Sequence, residues 1–165
     1  MKTITRSNIY LPMAAMILMA ALAVPAAAQK QVPFKGAMRG HDTDSPGPSA
    51  TTVVVTTSGT GVGTHLGEFS FTQEATVNLT AGTDTRSAHW IAANGDSIDT
   101  TIAGSGEPTD TPGAIRITEI DTITGGTGRF AGAQGSFTVE RLASGVTFLT
   151  SGSFHGTITS RGAAH

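Results

Sequence analysis

No cysteine occurs anywhere in the 165 residues. That excludes disulfides, thiolate nucleophiles, thiolate metal ligands and a cysteine for lipid attachment. Lysine stops at Lys35. A phosphate-cradling loop of the Gly-x-x-x-x-Gly-Lys-Ser/Thr type is therefore excluded, and the chain offers little for Schiff-base chemistry. Beyond residue 28, eight Lys+Arg stand against twelve Asp+Glu, a balance of −4. Such a chain lacks the basic footprint of a nucleic-acid binder and has little attraction for anionic membrane surfaces. Helical periodicity is missing too: outside the first 28 residues no window repeats its apolar residues at helical spacing.

One apolar run is present, Leu11–Val24, preceded by Lys2 and Arg6 and followed by Ala26-Ala-Ala28 before Gln29. This reads as a secretory signal peptide over residues 1–28 with an A-x-A cleavage site. Fourteen residues fall short of the ~20 needed to cross a bilayer, so no membrane span is expected after cleavage. An exported chain without disulfides fits a bacterial periplasm or the medium. Removing 28 of the 165 residues leaves 137, the size of one domain.

The remainder divides into a flexible leader at 29–33, a domain at 34–160 and a tail at 161–165. Phe34–His41 reads as a first strand, Asp42–Pro48 as a loop and Thr51–Thr57 as a β-branched strand, with Ser58–Gly63 turning the chain. Alternation in Thr64–Phe71 puts His65, Gly67, Phe69 and Phe71 on one face, and Leu66, Glu68 and Ser70 on the other. Glu74–Leu79 is a further strand. Ser87–Ala93 and Ser97–Ala103 flank Asn94-Gly95, a strong hairpin signal. Gly104–Gly113 reads as a polar loop, followed by strands at Ile115–Ile123 and Phe137–Leu142. Val146–Thr159 closes the chain, with Val146, Phe148, Phe154 and Ile158 on one face. About eight short strands with regular turn signals predict an all-β fold, a single closed antiparallel barrel. A two-sheet β-sandwich is the runner-up.

Thr124–Phe137 holds five glycines in fourteen residues: Gly125, Gly126, Gly128, Gly132 and Gly135. They are read as a structural turn at Gly125–Gly128 and a strand bent near Gly132 and Gly135. Thr124–Gly135 resembles the G-G-[ST]-G-x-F-x-x-A-x-G segment of the allene oxide cyclase and dirigent β-barrels, a calycin-like architecture. Small bacterial secreted proteins of the same type are similar over most of residues 34–160, through Phe34–Gly40, Gly63–Phe69 and Ala93–Asp96 as well. The resemblance implies a closed barrel and allows a homo-oligomer, since the plant members form trimers. It carries no catalytic residue over, because the plant site residues match no positions here.

Chemistry-bearing residues are sparse. Gly126-Thr-Gly128 and Gly61-Val-Gly63 precede strand-like segments, so neither is a dinucleotide loop. His41, His65, His89 and His155 sit on different segments and His165 ends the chain, so no metal site and no cofactor are expected. No Gly-x-Ser-x-Gly elbow occurs. Candidate acids or bases are then the carboxylates, foremost Glu68 and Glu119 with His65 beside them; Glu74, Asp96, Asp99, Asp121 and Glu140 complete the set. Phe69, Phe71, Trp90, Phe148 and Phe154 are the candidate lining of a cavity for a small apolar ligand, and otherwise core. A non-enzymatic exported binding barrel is the leading reading. The alternatives are a cyclase or isomerase that steers a reactive molecule with few catalytic groups, and a purely structural envelope protein.

Overall fold

The alternating segments become eight strands. A computed structural model describes residues 30–81 and 83–159. The strands are β1 (Val32–Pro46), β2 (Thr52–Gly63), β3 (Gly67–Asn78), β4 (Thr83–Ala92), β5 (Ser97–Pro108), β6 (Ala114–Gly126), β7 (Gln134–Ser144) and β8 (Leu149–Thr159). Each pairs antiparallel with the next, and β8 returns to β1, Val32 opposite Ile158 and His41 opposite Leu149, to close the barrel. Closure leaves no unpaired edge, which suits a chain that is nearly all strand. The expected signal peptide, the first leader residue and the expected tail lie outside the described residues; of the leader expected at 29–33, Val32 and Pro33 are already strand, paired with β8.

Several expected loops are strand. β1 continues through Asp42–Pro46, and β5 through Gly104–Pro108. Ser58–Gly63 does not turn; it is the second half of β2, paired with both β1 and β3. The glycines there have a different purpose. Gly59, Gly61 and Gly63 face inward, and a Cβ on any of them would strike the ring of Phe71, Phe69 or Phe154 respectively. Large rings on neighbouring strands occupy the space that glycine vacates, the small-against-large complementarity that a narrow barrel needs.

The reversal between β2 and β3 comes at Thr64–Leu66, where His65 adopts φ 65°. That break resets the alternation, so Leu66 is buried while Phe69 and Phe71 point inward and Glu68 outward. The Asn94-Gly95 hairpin forms as expected, with Gly95 at φ 87°. In the glycine segment, β6 runs through Gly125 and Gly126 with a register shift against Asp99/Thr100. The turn proper is a short 3-10 helix, Gly128–Phe130, with Gly128 and Gly132 at positive φ. It drives Phe130 into the barrel end. At the C-terminal side, β8 starts only at Leu149. Val146 and Phe148 belong to the preceding turn and are exposed, so they do not share a face with the buried Phe154 and Ile158.

Inward positions of the lumen divide into two halves. Towards the end closed by the β2–β3, β4–β5 and β6–β7 turns, Phe34, Phe69, Phe71, Trp90, Phe137 and Phe154 pack ring against ring, none more than 4% exposed. Centroid separations run from 5.0 Å for Phe34–Phe137 to 6.3 Å for Phe69–Phe71, and Phe71 stacks on Trp90 at 5.3 Å. Each buried ring contributes roughly 1.5–3 kcal/mol by area, with a further increment from ring–ring geometry. Towards the opposite end the same inward positions turn polar.

Candidate functional site

Strand parity places the polar half. β6 presents Ile115, Ile117, Glu119, Asp121 and Ile123 inward in succession, so two carboxylates occupy the apolar phase of an otherwise aliphatic strand. β7 does the same with Phe137, Val139, Arg141 and Ala143, and β4 with Arg86, Ala88 and Trp90. Charges that share the core phase on three strands must meet, because the lumen is narrow.

They meet at Glu119, which is 1% exposed. Arg141 donates from Nε to Glu119 Oε2 at 3.1 Å and from Nη2 to Oε1 at 3.4 Å. Arg86 Nη1 and Gln73 Nε2 each donate to Glu119 Oε1 at 2.8 Å. Burial alone would raise the Glu119 pKa. The charge and hydrogen bonds of Arg141, the Gln73 amide and the Arg86 charge outweigh it and hold the carboxyl below its ordinary value. Arg86 also donates to Asp84, through Nε at 2.8 Å and through Nη2. Burial disfavours its charge, but Asp84 and then Glu119 raise its pKa further. Arg141 completes its set with Thr150 Oγ1 at 3.2 Å and stands 3.8 Å from Asp42, which accepts from Thr57 Oγ1 at 2.6 Å.

Asp121 lies one inward step deeper, between this ion-pair layer and the rings. Burial pushes its carboxyl up to about 7; the Thr100 hydroxyl, 2.8 Å from Oδ2, opposes that, and the Glu119 charge reinforces it. The Trp90 indole N–H is near enough to favour the charged form, yet neither Trp90 Nε1 nor Asp121 Oδ1 has a partner in hydrogen-bonding geometry.

Above the ion pairs the lumen stays open as a chamber of about 240 Å³. Inward residues of β1, β2, β3, β4, β6 and β7 line it, and only a space inside the barrel touches so many strands. Its floor is Arg86, Arg141 and Gln73. The wall is aliphatic, from Val55, Val77, Ile115 and Ile117, with Asp42 and Asp44 on one side. Phe148 forms part of the rim at φ 58°, a conformation that costs a bulky residue. Ser144 O accepts from its N–H and Asp42 N–H donates to its carbonyl, each at 2.8 Å. A larger trough of about 740 Å³ lies against β1–β4, with outward-facing Arg39, Val62, Glu68 and Ile91 along it, and gathers no buried charge.

Of the candidates named from the sequence, Glu119 is at the centre of the charged layer. Glu68 is exposed on the outer trough, and His65 rests in the β2–β3 turn with Nε2 3.2 Å from Pro33 O. Phe69, Phe71, Trp90 and Phe154 pack within the closed half, while Phe148 alone of that group reaches the chamber. Gly125, Gly126, Gly128, Gly132 and Gly135 lie at the opposite end of the barrel. His89 pairs with Asp99 across β4 and β5, Nδ1 to Oδ1 at 2.6 Å, on the half-exposed outer face. Among the described residues, no three His, Asp or Glu side chains converge as a metal-binding group. The arginines, Gln73, Asp42 and Thr57 were missed. Arg86 and Arg141 do carry a signal, since each continues the buried alternation of its strand towards the open end.

In comparisons with known proteins, no family model, no curated protein and no solved structure matches this chain.

Proposed function

We propose that this protein is an exported, non-enzymatic β-barrel that binds a small amphipathic molecule in the open half of its lumen. The observation that carries the reading is the chamber itself: an aliphatic wall above a floor of buried, fully engaged ion pairs. Convergent polar groups with perturbed pKa values beside an apolar cavity are the usual marks of a ligand site. The reading differs from the expectation of a purely apolar ligand, because rings fill the apolar half of the lumen. An amphipathic guest would lay its hydrocarbon against Val55, Val77, Ile115 and Ile117 and turn its polar group to the floor or to Asp42.

A structural envelope role is the second reading, favoured by the closed aromatic half, which stabilises the barrel whether or not anything binds. The cyclase alternative would need a proton-transfer group at the guest. Asp121, the carboxyl best tuned for that, does not line the chamber.

Native mass spectrometry of the protein purified from its host's exported fraction tests the proposal. A reproducible small-molecule adduct on a chain beginning at Gln29 is expected. A clean apo mass across preparations, together with failure of Thr57→Trp to change any small-molecule binding, would sink it.

A further inference from the structure

The chamber's surroundings carry a charge that its arginines do not balance. Four carboxylates, Asp42, Asp44, Asp84 and Glu119, stand against two guanidiniums, Arg86 and Arg141, leaving −2. Both guanidiniums already donate to Glu119, and Arg86 donates to Asp84 as well. Asp42 accepts from Thr57 but lies 3.8 Å from Arg141, and Asp44 has no ion-pair partner among the described residues. The charge left unbalanced for a guest is therefore negative.

We infer that the chamber takes an organic cation, a small ammonium with a hydrocarbon body, its head at Asp42 and Asp44 and its body against the aliphatic wall. This rests on the reading of the chamber as a binding site. Three features act together. Asp42 and Asp44 line the chamber while Glu119 and Asp84 behind it already engage both guanidiniums, so the net negative charge of the lining and its backing attracts a cation and repels a carboxylate inside a space partly shielded from water. The aliphatic wall rewards a hydrocarbon body and disfavours a bare metal ion. At the rim, Phe148 holds an aromatic ring in a left-handed conformation beside Asp42, where its face can attract a cation. The volume, about 240 Å³, equals the liquid share of roughly eight waters and limits the guest to a handful of carbons. A carboxylate guest would compete with Glu119 and Asp84 for guanidiniums that these already engage, adding a third like charge beside them.

The test compares three probes with one hydrocarbon chain: hexylammonium, hexanol and hexanoate. Each is titrated into the purified protein while the methyl signals of Val55, Val77, Ile115 and Ile117 are followed by NMR. Hexylammonium is expected to shift these signals and to bind about tenfold tighter than hexanol, with hexanoate weakest, the scale of one hydrogen bond to a charged group. Asp42→Asn, which keeps an acceptor for Thr57, should remove about that tenfold preference and leave hexanol unchanged. Phe148→Leu should weaken hexylammonium roughly threefold, again sparing hexanol. If hexanol or hexanoate binds as tightly as hexylammonium, the cation assignment is overturned and the chamber remains a site for another chemistry. If none of the three moves the methyl signals, the binding role itself falls. The wild-type series decides between these outcomes even if a variant fails to fold.

Discussion

Gly63 and Phe154 share one volume in the lumen: a Cβ on Gly63 would stand 2.8 Å from Phe154 Cζ. The other near atoms are the far edge of the same ring and the Lys35 carbonyl at 3.3 Å, so the conflict is chiefly with a side chain. Gly63→Ala is expected to cost about 1–3 kcal/mol as an overpacked core position. Phe154→Leu alone should cost about 1–2 kcal/mol in lost burial. The double variant should be more stable than the sum of the two by about 1 kcal/mol, because the smaller side chain makes room. Urea denaturation of the four proteins measures this, and simple additivity would show that the positions do not compete for space.

Among the described residues, Glu119 is the only carboxylate that receives both lumen guanidiniums. Glu119→Gln leaves Arg141, 6% exposed, without its buried counter-charge and should cost about 3–5 kcal/mol. Adding Arg141→Met should recover part of the loss, since a buried pair replaced on both sides is tolerated better than one broken on one side. A double variant no more stable than Glu119→Gln would contradict that account.

Asp121 gives stability an unusual slope. Its folded pKa, about 7, lies above the unfolded value of 3.8, so the native state holds a proton that the unfolded chain releases. Its contribution is complete below about 4 and is lost as pH rises to about 7 and beyond. Asp121→Asn should match the wild type near pH 4 and exceed it at pH 8 by on the order of 2–4 kcal/mol. Glu119, with its pKa lowered, works in the opposite sense: its contribution is present above its ordinary value and is lost as pH falls. Denaturation at several pH values should therefore be read as the difference between wild type and Asp121→Asn, in which the Glu119 contribution largely cancels.

Phe148 stands at φ 58° with its ring half in solvent, 6.2 Å from the His41 ring. Replacing it by alanine removes the ring and keeps the backbone penalty; replacing it by glycine removes both. Phe148→Gly is expected to be more stable than Phe148→Ala by about 1 kcal/mol. Equal stability would mean that the turn relaxes when the ring is absent.

Period-two alternation and β-branched composition made a closed all-β fold legible, together with the Asn94-Gly95 hairpin and the strand cores around Phe69, Ile123 and Phe137. Alternation is a local property of the backbone, and side-chain chemistry records it directly. Glycine was ambiguous in the same text. At Gly95 and Gly128 it serves a positive φ, whereas at Gly59, Gly61 and Gly63 it clears space for rings on other strands. Composition cannot separate these uses, because the second depends on which residue lies across the lumen.

The site divides in the same way. Glu119 and Asp121 were visible as carboxylates on a strand; that they share the apolar phase of Ile117 and Ile123 is the signal of their burial, and it was missed. Arg141 lies 22 residues from Glu119 and Gln73 lies 46 from it. Only barrel closure and the register of β3, β4, β6 and β7 bring them to one point. The sequence alone established the all-β class, the central stretches of most strands and the absence of thiol chemistry. Tertiary structure decided which rings close one half of the lumen and which charges floor the other, because those are contacts across a curved sheet and no local pattern encodes its curvature.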